Sequence, residues 1–63
     1  MFLIGTNSGF VSKDDRKNAR FIKRLTPNIR RAMEFETFEE ANAYASYKFT
    51  NFEPVIMQVY EVT

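Results

Sequence analysis

A chain of 63 residues with neither cysteine nor histidine has to hold its fold together by packing alone. At that length folding buries only about 60% of the surface that the unfolded chain exposes, which leaves room for one domain with a small core. Disulfide staples need Cys, and structural zinc ordinarily needs Cys or His, so both usual supports of a miniature fold are excluded. Close packing or self-association must supply the stability. The material for packing is aromatic: seven Phe and three Tyr, each bringing much apolar area per residue.

Local signals divide the chain into short elements. Phe2 to Gly5 and Gly9 to Ser12 flank Thr6-Asn7-Ser8-Gly9, a cluster that favours turns, and predict a tight hairpin. A phosphate-cradling loop at Gly5 to Gly9 lacks both a following helix start and a Gly-Lys-Ser/Thr ending. Residues 13 to 25 read two ways. As a helix, Ser12 is the N-cap, Asp14 and Asp15 suit the positive end, and Ala19, Ile22 and Leu25 form a stripe. As extended chain, 15 to 18 is a turn, after which Phe21, Lys23 and Leu25 alternate with Arg20, Ile22 and Arg24. The adjacent β-favouring Phe21 and Ile22 tilt the reading toward the extended form. Thr26-Pro27-Asn28 then suggests an N-cap and a Pro at the first helical position, for one short turn through Arg30.

The clearest signal is Thr37-Phe38-Glu39-Glu40, a capping box that starts a helix. Phe38, Ala41, Ala45 and Phe49 make its apolar stripe, Tyr44 flanks it, and Glu39, Asn42, Ala43 and Ser46 face outward. Asn51 is the expected stop, and Pro54 opens a last strand from Val55 to Val62. With Ala32 to Phe35 as a further short strand, the order suits an α+β domain: a small antiparallel sheet of three to four strands with one main helix, 38–49, packed on one face. In the last strand Val55, Met57 and Val59 share one face while Ile56, Tyr60 and Val62 share the other. One helix covers one face. The second needs residues 13 to 25 as a helix or a second molecule, which is the argument for a homodimer.

Ala32, Phe35, Thr37, Glu39, Glu40 and Ala41 spell Ala-x-x-Phe-x-Thr-x-Glu-Glu-Ala, followed by a Val-rich strand. This pattern resembles small proteins of phages and prophages, many of which open with a hydrophobic hairpin ending in Gly-aromatic, as Gly9-Phe10 does here. The resemblance spans 1 to 12 and 25 to 62. It implies a phage-encoded accessory protein that binds a host enzyme or defence component, and it brings no catalytic residue with it. Segment 13 to 24 departs from the pattern in its density of positive charge.

That density is the functional signal. Eight of the nine basic residues lie between Lys13 and Arg31, whereas six of the eight acidic ones follow Met33, so a net charge of +1 conceals two opposed fields. Nucleophilic catalysis by Ser ordinarily needs a positioned base, most often His, which the chain lacks. Ser8, Ser12 and Ser46 are therefore read as turn, cap and surface residues. Glu34 and Glu36 would share a strand face and could hold a hard cation, but they are read as a solvated strand face, because acidic residues are usually exposed and Ala32, Met33 and Phe35 give the other side its apolar content. No cofactor is expected. Arg16, Lys17, Arg20, Lys23, Arg24, Arg30 and Arg31 are the expected contact surface for an acidic host protein, since Arg is enriched at interface hot spots and basic charge steers association. Nucleic acid is the alternative partner, with Phe21 as a stacking platform, although the pI of about 8.1 falls below the value above 9 typical of such modules. Tyr44 and Tyr60 are expected half-buried, their hydroxyls reaching water. No apolar run approaches the roughly 18 residues of a membrane span. Met1-Phe2-Leu3-Ile4 has no positive n-region, so the expected location is a cytoplasm, that of the host if the protein is phage-encoded.

Overall fold

The computed structural model describes residues 1–17 and 23–60, without the side chains of Arg16 and Lys17. The expected turn at 15 to 18 and the alternation through Phe21 and Ile22 lie wholly or partly outside the described residues.

The chain opens with the expected hairpin. Strand β1, Phe2–Thr6, pairs antiparallel with β2, Gly9–Val11, through Gly5 opposite Phe10 and Thr6 opposite Gly9. The Thr6 hydroxyl donates to the Gly9 carbonyl at 2.6 Å and accepts the Ser8 N–H at 3.1 Å, closing the turn from inside. The positive φ that the turn needs falls on Gly9, at 127°, rather than on Asn7 or Ser8. A side chain there would be strained, and a Cβ would stand 3.0 Å from the Thr26 carbonyl oxygen.

Strand β3 is only Leu25–Thr26, and β4 is Val55–Gln58. The four strands form one antiparallel sheet in the order β3-β2-β1-β4. Beyond Gly5 the hairpin stops pairing with itself. Phe2 exchanges both backbone hydrogen bonds with Phe35, at 2.8 and 2.9 Å, and Ser12 bridges to Ala32. Residues 32 to 35, expected as a strand, thus take part as two isolated bridges.

Helix α1, Phe38–Lys48, begins where the capping box places it: the Thr37 hydroxyl accepts the Glu40 N–H at 3.2 Å. It ends at Lys48, short of the stop expected at Asn51, because Phe49 leaves helical geometry to enter the core, where it is fully buried. A 3-10 turn, Thr50–Phe52, follows, and the left-handed residue is Glu53, at φ 52°, rather than Asn51. Ala41 and Ala45 are small enough to let the helix approach the sheet closely, and with Ile4, Val11, Met33, Phe35 and Phe49 they form the core. Tyr44 stacks at 6.3 Å on Phe49, which meets Phe52 edge-on at 5.6 Å.

Two further expectations are corrected. The short turn after Pro27 is a 3-10 turn at Ile29–Arg31 capped by Asn28, whose side chain accepts the Arg30 N–H at 3.0 Å, while Thr26 caps Asn28 itself at 3.1 Å. The last strand stops at Gln58, so Tyr60 lies beyond it and is 75% exposed.

Sheet alternation turns Ile4 and Ile56, directly opposite each other, toward α1, and turns Val55 and Met57 the other way. On that second face Met57 folds over Gly5, whose missing side chain makes the room: a Cβ there would come 2.9 Å from the Met57 methyl carbon. Gly5, Phe10, Val55 and Met57 line a groove of about 470 Å³, and Val55 is 61% exposed.

Replacing Gly9 by Ala forces a left-handed non-Gly residue against backbone and costs about 1–3 kcal/mol. For a domain this small that lowers the melting temperature by at least about 4 °C. An unchanged thermal transition in Gly9→Ala contradicts this geometry.

Candidate functional site

After β2 the chain turns at Ser12. Its hydroxyl accepts the Asp14 N–H at 3.2 Å and its carbonyl the Asp15 N–H at 3.0 Å, so Ser12 starts the 3-10 turn Lys13–Lys17. The Ser12 N–H donates to the Arg24 carbonyl at 2.9 Å, joining the two ends of the basic segment. The turn carries Asp15 inward, where it is 0% exposed.

Three groups from distant parts of the chain converge on that carboxylate. One oxygen accepts the Arg24 backbone N–H at 2.6 Å, and the other accepts the Tyr44 hydroxyl at 2.5 Å and the Lys48 ammonium at 2.9 Å. The Lys48 side chain is itself 2% exposed. Taking each ion out of water costs several kcal/mol, and a buried pair offsets that only when the remaining hydrogen-bonding capacity is also met. Here it is met. Among the described residues no buried side-chain N or O lacks a partner.

Sequence reasoning missed this arrangement. It gave Asp15 to a helix start or turn, left Lys48 unassigned, and sent the Tyr44 hydroxyl to water. The available hint was the spacing of Tyr44 and Lys48, one helical turn apart on the same flank of α1.

The network fixes the basic segment against the helix at Asp15 and again at Arg24. Around it open two adjoining clefts. Lys23, Arg24, Arg31 and Asp14 line one of about 410 Å³, and Lys13, Arg30, Arg31 and Asp14 line the other, of about 220 Å³. Ser12, Asp14 and Arg31 belong to both. Of the expected contact residues, Lys23, Arg24, Arg30 and Arg31 are thus exposed and brought together. Arg16 and Lys17 lie on the 3-10 turn, with side chains outside the description, and Arg20 lies outside the described residues.

Charge separation is substantial but incomplete. Among the described residues the ion pairs are the buried Asp15–Lys48 and a loose, exposed Lys13–Glu34 contact at 3.9 Å, which adds little in water. Neither Lys23, Arg24, Arg30 nor Arg31 is in an ion pair among those residues. Glu36, Glu39 and Glu40 are exposed around the start of α1. Asp14, by contrast, sits within the basic region. Among the described residues no group of three or more His, Cys, Asp or Glu is placed to hold a metal ion, and no helix is long and apolar enough to cross a membrane.

No family model, no curated protein and no solved structure matches this chain.

Asp15→Ala strands the buried Lys48 charge and two further donors, a loss of about 3–5 kcal/mol. Natural domains have only about 5–15 kcal/mol in hand, and small ones the lower part of that range. The variant is therefore expected to melt at least about 12 °C below the parent or to be unfolded at room temperature. Adding Lys48→Met to Asp15→Asn should recover part of the loss in a double-mutant cycle, and full stability of Asp15→Ala contradicts the burial of the pair.

Proposed function

We propose that this chain is a non-catalytic binding protein, of phage or prophage origin, that modulates a host enzyme or defence component by occupying a site on it with its basic surface. One observation carries the reading: Lys23, Arg24, Arg30 and Arg31 are exposed around two adjoining clefts, and none is in an ion pair among the described residues. Cations left in that state in a chain of net charge +1 favour an acidic counterpart outside the fold. The Asp15 network supports the reading further, because a surface already held in place loses less conformational freedom on docking. The resemblance of the Ala32 to Ala41 pattern to small phage proteins supports the biological setting, and the lack of His and Cys supports a non-catalytic role.

Nucleic acid competes for the same cations. Against it, no aromatic side chain lines either cleft among the described residues, and single-strand binders rely on stacking. Self-association through the sheet face opposite α1 belongs to the same reading and is supported by the exposure of Val55 along the edge strand β4. A melting temperature that rises with protein concentration is its expected sign, and one independent of concentration removes it.

Parent protein and the Arg24→Ala/Arg31→Ala variant should be compared as baits in host lysate, and the retained protein purified and titrated. The expected result is an acidic protein held by the parent, with at least about tenfold weaker affinity for the variant, about 1.4 kcal/mol, at unchanged thermal stability. Equal binding by both baits contradicts the reading. So does retention of nucleic acid alone, with log affinity falling steeply and linearly against log salt.

A further inference from the structure

The two edges of the sheet are built differently. Strand β3 offers only Leu25–Thr26, with Lys23 and Arg24 before it and Pro27 after it, and short length, basic charge and Pro all keep an edge from pairing with another chain. Strand β4, Val55–Gln58, forms the other edge with a single such device, Pro54 before its first residue, and the stretch from Pro54 to Tyr60 carries no charge. Met1 and Val59 exchange backbone hydrogen bonds at 3.1 and 2.8 Å, so by antiparallel alternation Leu3–Met57 and Gly5–Val55 are the hydrogen-bonded pairs of β1 and β4. The backbone N–H and C=O of Ile56 and Gln58 therefore point away from β1, to a side where no described strand lies. We propose that a second copy of this chain pairs there, antiparallel and edge to edge through β4 of each, joining two four-stranded sheets into one of eight.

The proposal rests on the self-association in the reading above and assigns its mode. The strand complements itself. In a register centred on Met57, Ile56 of each copy lies opposite Gln58 of the other, and both pairs exchange hydrogen bonds in each direction. Shifting the centre to Ile56 sets Gln58 against Pro54, which has no N–H, and shifting it to Gln58 sets Ile56 against Tyr60, beyond the strand. In the central register Met57 meets its own image, and an unbranched, flexible side chain adapts to that contact. The apolar grooves lined by Gly5, Phe10, Val55 and Met57 then run together across the joint. Pairing of like with like also closes the assembly, because only the short β3 is left at either outer edge. Leu25 and Thr26 of β3 line one of the basic clefts, so docking and self-pairing use opposite edges and do not compete.

Sedimentation equilibrium over a range of concentrations measures the dimer in the parent, in Gln58→Ala, and in Gln58→Pro, which deletes an outward N–H and no bond to β1. Gln58→Ala is expected to dimerise within about threefold of the parent, and Gln58→Pro at least about tenfold more weakly, since each dimer loses the hydrogen bond twice. The chain has no Cys, so an introduced thiol meets only its counterpart. In the central register the two Met57 Cα atoms stand about 4.5 Å apart, within reach of a disulfide. Met57→Cys is therefore expected to crosslink under mild oxidation far faster than Ser8→Cys, whose thiol lies in the exposed hairpin turn. A parent that stays monomeric at the highest concentration overturns the proposal and self-association with it, and leaves the basic docking surface as it stands. A dimer equally tight in Gln58→Pro, or Met57→Cys crosslinking no faster than Ser8→Cys, overturns the edge pairing while leaving self-association by another route. Far-ultraviolet circular dichroism and thermal melts establish that folded proteins are compared, and where Gln58→Pro fails to fold the crosslinking rates decide.

Discussion

Asp15 is the point on which the structure turns. A fully buried carboxylate in a chain of 63 residues would be intolerable without compensation, and the compensation comes from three separate groups. The ammonium of Lys48 and the hydroxyl of Tyr44 arrive from α1, and the amide of Arg24 arrives from the residue leading into β3. Because a charge in low dielectric is costly when unpaired, the three contacts succeed or fail together. The 3-10 turn, the edge of the sheet and the C-terminal half of the helix are thereby tied to one another without a disulfide or a metal.

The rest of the stability is apolar and small in extent. Ile4, Val11, Met33 and Phe49 are essentially without solvent contact, and burying such a side chain is worth about 1.5–3 kcal/mol each. The ring sequence Phe35, Tyr44, Phe49, Phe52 links the helix to the turn that follows it. Tyr44 belongs to both systems, since its ring packs in this series while its hydroxyl serves Asp15. The apolar core and the buried ion pair are consequently one cooperative unit, and the basic clefts lie on its surface.

Features written in adjacent residues were legible in the sequence. The capping box at Thr37, the hairpin around Thr6 to Gly9 and three of the four residues of the expected stripe, Ala41, Ala45 and Phe49, all follow from interactions within a few positions, whereas Phe38, expected in the same stripe, is 49% exposed. The exposure of Lys23, Arg24, Arg30 and Arg31 followed from their charge. The Asp15 site did not, because its partners stand 9, 29 and 33 positions away and leave no period in the chain. Asp15, beside Asp14 at the start of a basic segment, reads as part of a solvated helix start or turn, and a Lys in the last turn of a helix reads as a favourable charge near its dipole. Only the fold brings the two together. The cap at Asn28 rather than Thr26 is one that local preference equally favours, and the left-handed residue falls at Glu53 rather than Asn51 because the 3-10 turn Thr50–Phe52 intervenes.

The buried carboxylate locks Asp15 and the Arg24 backbone to the helix. Amide hydrogen exchange at Arg24 measures this lock directly, because its N–H donates to Asp15 rather than to a strand neighbour. Under native conditions this amide should exchange only on global unfolding, as slowly as that of Phe49, which donates to the Ala45 carbonyl inside the core. Exchange at Arg24 as fast as in an open loop, with Phe49 still protected, would show that the lock does not exist.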